Sequence, residues 1–125
     1  MRAVWSLWRL PCRSGSGSRW GHEKYDCLSW LLSVGVARRH FSSLALHADD
    51  DGARLLIDEL GLAFDHLSLS LNSLHNADSE WWMQGKLLTY SQQQEPFVHI
   101  DSDVYLFNPL PARITSAPVL ANVVT

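Results

Sequence analysis

Short apolar runs that read as strands alternate along this chain with stretches of helical periodicity, and that alternation is what most restricts its fold. Ala3 to Leu10 and Ser43 to Ala48 read as strands. Between them, from about His22 to Arg39, Tyr25, Leu28, Leu31, Leu32 and Val36 recur at intervals of three and four, the spacing of one helix face. Arg38, Arg39 and His40 follow, where positive charge suits a helix C-terminus. Asp49, Asp50 and Asp51 offer acceptors to the start of a helix from about Gly52 to Leu60, which Gly61 stops. A metal site on the acidic triplet is the sharper alternative to a cap. Leu67, Leu69 and Leu71 alternate with Ser68 and Ser70, so Phe64 to Leu71 is expected to be a strand with one apolar face, near a sheet edge. Asn76 or Asp78 is expected to cap a helix from Ser79 to about Gln92, with Trp81, Gly85 and Leu88 on one stripe and Met83, Leu87 and Tyr90 on another. Pro96 then precedes the strand Phe97 to Asp101, and Asn108 to Ala112 reads as a turn.

Strand and helix in this order build right-handed βαβ units, so the expected class is α/β: a Rossmann-like, mostly parallel sheet flanked by helices. At 125 residues the chain amounts to one domain or part of one. A net charge of −3 and 18% charged residues give no footprint for nucleic acid. The loop from Pro11 to Ser18 could lie over a ligand, but its glycines lack the spacing of a phosphate-binding fingerprint. Cys12 and Cys27 suggest neither a disulfide framework nor a structural zinc site, and reduced thiols point to the cytoplasm. No stretch approaches the ~20 apolar residues of a membrane span, and the first nine residues do not read as a signal peptide. Six tryptophans are many for this length; they could line a sugar or base site, but the general burial of tryptophan makes the core the better reading. The tail from Pro118 to Thr125 reads as a further strand or an unstructured end.

Chemistry concentrates at the end of the last clear strand, in Asp101-Ser102-Asp103. If the strand continues, side chains two residues apart share a face about 6 to 7 Å from each other, and Asp101 and Asp103 would flank one hard divalent cation. The plainer reading is that the two aspartates close the strand and open a turn. Ligands in parallel sheets bind beyond the C-terminal strand ends, which favours a ligand or metal role. His99 shares the face of Asp101 and is either a third ligand or a strand histidine bonded to a neighbour. Lys86 is either a solvated helix lysine or a cation for a bound diphosphate.

The segment Trp82-Met83-Gln84-Gly85-Lys86-Leu87-Leu88-Thr89-Tyr90, followed by Glu95-Pro96-Phe97-Val98-His99-Ile100-Asp101-Ser102-Asp103-Val104-Tyr105-Leu106, resembles the N-terminal half of a GT-A-type glycosyltransferase domain. The resemblance is to a poorly characterised bacterial family of glycosyltransferase-like proteins. It extends over nearly the whole chain in element order and is sharpest from Trp81 to Pro111. It implies that Asp101-Ser102-Asp103 is the Asp-x-Asp motif that holds Mn²⁺ or Mg²⁺ against the diphosphate of a nucleotide sugar. Asp103 would be the direct metal ligand, and Asp101 would contact the ribose, the metal or both. By the same resemblance an acceptor half is expected after the motif, yet little chain follows Asp103. A partial domain, unable to complete transfer alone, is therefore expected. A haloacid-dehalogenase-type phosphohydrolase also presents Asp-x-Asp after a strand, but Val104-Tyr105 do not match the small residues that follow it there. A non-catalytic binding or interaction remnant is the third alternative.

Overall fold

The structure, a computed structural model, describes residues 1–10, 23–78 and 80–118. Four parallel strands form one sheet: β1 (Arg2–Leu7), β2 (Ser43–Ala48), β3 (His66–Ser68) and β4 (Phe97–His99), in the order β3-β2-β1-β4. Helices lie on both faces. α1 (Glu23–Ala37) joins β1 to β2, and α2 (Asp50–Ala53), which continues as a π-helical stretch (Arg54–Glu59), joins β2 to β3. A 3₁₀ helix (Ser70–Leu74) and α3 (Gln84–Ser91) lead from β3 to β4, and the short α4 (Ala112–Thr115) follows. The fold is α/β with a Rossmann-like arrangement, as the alternation of elements implies.

β1 and β2 are central strands and read as near-continuous apolar runs because both of their faces are covered. Ala3 pairs with Leu44, Trp5 with Leu46 and Leu7 with Ala48 on one face, where Trp30, Val34 and Ala37 of α1 and Leu55 and Leu56 of the π-helical stretch join them in the core. α3 covers the other face, with Tyr90 edge-on to His99 at 5.0 Å and Gly85 close against Trp8. β3 is an edge strand, as its half-polar pattern suggests, but it is only three residues long.

The structure corrects several expectations. α1 does not bury Tyr25, Leu28, Leu31 and Leu32, which are exposed; it buries Ser29, Trp30, Ser33, Val34 and Ala37 instead. The buried stripe is turned by about 100°, one residue's rotation, which packs Trp30, Val34 and Ala37 in the core and brings Ser33 Oγ to accept the indole N–H of fully buried Trp5. The strand expected to run to Leu71 ends at Ser68, leaving Leu67 and Leu69 exposed. The helix expected from Ser79 begins at Gln84. Asp78 accepts the Glu80 N–H at 3.0 Å in a local turn, and i to i+3 bonds from Trp81 to Asp78 and from Gln84 to Trp81 carry the chain forward before helical bonding starts. The Pro11 to Ser18 loop, Cys12 and residues 119–125 of the tail lie outside the described residues.

Asp49 caps α2, accepting the Gly52 N–H at 2.8 Å and the Arg9 N–H at 2.9 Å. Asp50 pairs with Asn72 and Asp51 with Arg54 at 2.7 Å, so the acidic triplet is spent on capping and local pairs. Gly61, at φ +70°, ends the helical segment in the left-handed region, as expected of its glycine.

Candidate functional site at the C-terminal edge of the sheet

With β2 and β3 on one side of β1 and β4 on the other, the order of the strands reverses between β1 and β4. At such a reversal the connections leave the sheet in opposite directions and open a crevice beyond the strand ends. Asp101 is carried into that crevice. The Ile100 N–H still bonds the Val4 carbonyl at 2.8 Å, extending the β4 pairing by one residue, so the backbone holds Asp101 level with the end of β1.

The strand does not continue to Asp103. The Val104 N–H bonds the Asp101 carbonyl at 3.0 Å, so residues 101–104 form a tight turn. This corrects the two-residue alternation expected of Asp101 and Asp103: the first lies at a strand end and the second within the turn, exposed. The turn is held from α1. Ser33 Oγ receives the Trp5 indole N–H at 3.1 Å and donates to the Val104 carbonyl at 2.8 Å, with the Asp101 carbonyl at 3.3 Å. Ser29 Oγ donates to the Ser102 carbonyl at 2.6 Å and accepts from the Tyr105 hydroxyl at 2.7 Å. Sequence reasoning missed these two serines. Their signal was a polar pair four residues apart beside Trp30 and Val34, which makes sense only if the helix face meets backbone carbonyls.

Lys86 and Asp101 meet. Lys86 Nζ lies 2.7 Å from Asp101 Oδ1 with both side chains partly exposed, and 5.6 Å from the centre of the Trp82 ring. His99, 9% exposed, has Nε2 at 2.9 Å from Ser6 Oγ and Nδ1 at 3.6 Å from Asp101 Oδ1. Burial holds the His99 imidazole down at about 4; Asp101 opposes that shift and Lys86 reinforces it, so the ring is neutral at neutral pH. Behind it, His47 is bonded to Gln92 at 3.2 Å and Gln93 at 3.0 Å, and burial lowers its pKa as well. Burial raises the Tyr90 hydroxyl, with a further contribution from Asp101. Burial likewise raises the Asp26 carboxyl, an effect that Arg9 offsets. Trp8, just past the end of β1, packs so closely on α3 that a Cβ on Gly85 would lie 2.9 Å from the Trp8 Cβ.

Thus Asp101 and Lys86 are brought together and Asp103 stands in the adjoining turn. His99 is bonded to its neighbours in the way of a satisfied strand histidine. Among the described residues no group of three or more His, Cys, Asp or Glu is arranged to hold a metal ion. The two aspartates offer hard oxygen donors only, which fits Mg²⁺ or Mn²⁺ taking its remaining ligands from phosphate and water rather than a closed protein cage. A concavity of about 470 Å³, lined by Met1, Arg2, Ser43, Glu95 and Thr115 among others, lies at the opposite, N-terminal edge of the sheet, away from these groups.

A family model covers residues 1–124, nearly the whole of this sheet and its crevice. The chain belongs to the family of unknown function DUF6734. No curated protein and no solved structure matches it. In this DUF6734 chain Asp101, Lys86 and His99 are polar groups that meet at the crevice. Among its described residues no helix is long and apolar enough to cross a membrane.

Proposed function

We propose that this chain binds a nucleotide-diphosphate sugar in the manner of a GT-A-type glycosyltransferase, with Asp101 and Asp103 taking a divalent cation together with the diphosphate. The observation that carries the proposal is the meeting of Asp101 and Lys86 at 2.7 Å where strand order reverses between β1 and β4. A carboxylate and an ammonium side by side suit a ligand that brings both cation and anion. On binding, Lys86 would exchange Asp101 for a phosphate oxygen, and the freed carboxylate would face the cation. A cation there would neutralise the charge that develops on a departing nucleoside diphosphate. Ser29 and Ser33 fix the backbone from Asp101 to Tyr105, so the carboxylates are positioned before the ligand arrives.

Calorimetry with UDP-glucose, UDP-galactose and GDP-mannose, with and without Mn²⁺, tests the proposal. Binding should require Mn²⁺ and be lost in Asp101→Asn and Asp103→Asn. Binding that is indifferent to Mn²⁺ and to both substitutions would refute it. Cytoplasmic residence, expected from the free thiol of Cys27, belongs to the same proposal.

A second reading, a non-catalytic interaction module, is favoured by the exposed stripe of Tyr25, Leu28, Leu31 and Leu32 on α1. Under that reading none of the nucleotide sugars would bind.

A further inference from the structure

Trp82 is 54% exposed, yet it is not an isolated surface aromatic. Lys86 Nζ lies over its ring at 5.6 Å and touches Asp101 at 2.7 Å, so one lysine links an open indole to the carboxylate of the crevice. Trp82 stands in the turn just before α3, Lys86 and Tyr90 follow four residues apart on α3 itself, and Tyr90 in turn meets His99 at 5.0 Å. Leaving an indole in water forgoes the large apolar gain of its burial. Here the ring stands beside a charge pair that can exchange hydrogen bonds with a ligand, which is the mixture of flat apolar surface and a few polar groups that small-molecule sites use.

We propose that Trp82 is the platform for the pyranose ring attached to the diphosphate, stacking against the sugar's C–H face while Lys86 and Asp101 meet its phosphate and hydroxyl oxygens. This rests on the nucleotide-sugar reading above. The C–H bonds on one face of a pyranose are weakly positive and meet the negative face of the indole. Placement selects the sugar rather than the base. The indole stands one lysine head group from the carboxylate, so a ring joined directly to a phosphate at Lys86 reaches it, whereas a base is held off by the intervening ribose.

The test titrates the full chain in saturating Mn²⁺ with UDP-glucose, UDP-galactose and GDP-mannose beside UDP and GDP, for the wild type, Trp82→Ala, Trp82→Phe and Trp81→Ala. The wild type should bind at least one nucleotide sugar more tightly than its bare diphosphate. Trp82→Ala should abolish that margin, a loss of about tenfold, without weakening UDP or GDP. Trp82→Phe should keep most of the margin, and Trp81→Ala, at a ring 66% exposed, all of it. Circular dichroism verifies that each variant is folded. If Trp82→Ala weakens bare diphosphate equally, or leaves the sugar margin intact, the platform is wrong while the diphosphate site stands. If the wild type binds neither sugar nor diphosphate, both proposals fall together.

Discussion

At the scale of single residues, the crevice depends on polar side chains buried in an otherwise apolar setting. Ser33 satisfies the fully buried Trp5 indole on one side and the Asp101 turn on the other. Ser33→Ala removes both bonds and strands the indole N–H, so a loss of about 2 to 3 kcal/mol is expected in urea unfolding. Ser33→Thr, which keeps the hydroxyl, should lose less. His99 adds a pH dependence whose sign follows from its lowered pKa. The unfolded chain takes up a proton at the ordinary value of 6.5 and the folded chain only at about 4. Between those values the unfolded state binds more protons, so this contribution to stability is full above pH 6.5, declines as pH falls, and is exhausted below about 4. His99→Gln should flatten the melting temperature across that window. A profile equally steep in the variant would assign the effect elsewhere. Asp101 and Lys86 were legible in the sequence as candidates, since a strand end and a helix face both select positions. Their pairing was not, because it depends on how α3 is rotated over the sheet.

At the scale of elements, the strands and helix order were readable and the helix faces were not. β2 matches its expected bounds, Ser43 to Ala48, because a doubly buried strand leaves a continuous apolar run. α1 carries two stripes at helical spacing, the leucines and the Trp30, Val34 and Ala37 set, and counting apolar residues favours the wrong one. The choice between them rests on contacts across the sheet, where Trp30, Val34 and Ala37 join the core and Ser33 meets Trp5. α3 was expected five residues too early, since Asp78 reads equally as a cap and as a turn. The close approach of α3 to Trp8 can be tested through Gly85. Alanine gains about 1 kcal/mol of helix propensity, but its Cβ would lie 2.9 Å from the Trp8 Cβ, and overpacking of that kind costs about 1 to 3 kcal/mol. Gly85→Ala should therefore lower stability, and it should displace Lys86 from Asp101. A thermal melt reporting a stabilised variant would show that the contact relaxes freely.

At the scale of the whole molecule, the order β3-β2-β1-β4 matters more than any one motif. It was inferable as a class from alternating elements, but which strand flanks β1 was not, because sequence alternation is the same for several orders of a parallel sheet. Once β4 lies beside β1, Asp101 enters the crevice and Lys86 reaches it from α3. That arrangement has one thermodynamic consequence. With Lys86 on Asp101, the two carboxylates hold a cation weakly alone and better when a diphosphate takes the lysine and supplies further oxygens. Mn²⁺ affinity measured by electron paramagnetic resonance, without and with saturating UDP or GDP, tests this most directly. Mn²⁺ should bind at least about tenfold tighter with nucleotide, and nucleotide should gain the same factor with Mn²⁺. Equal Mn²⁺ affinity with and without either nucleotide would contradict it.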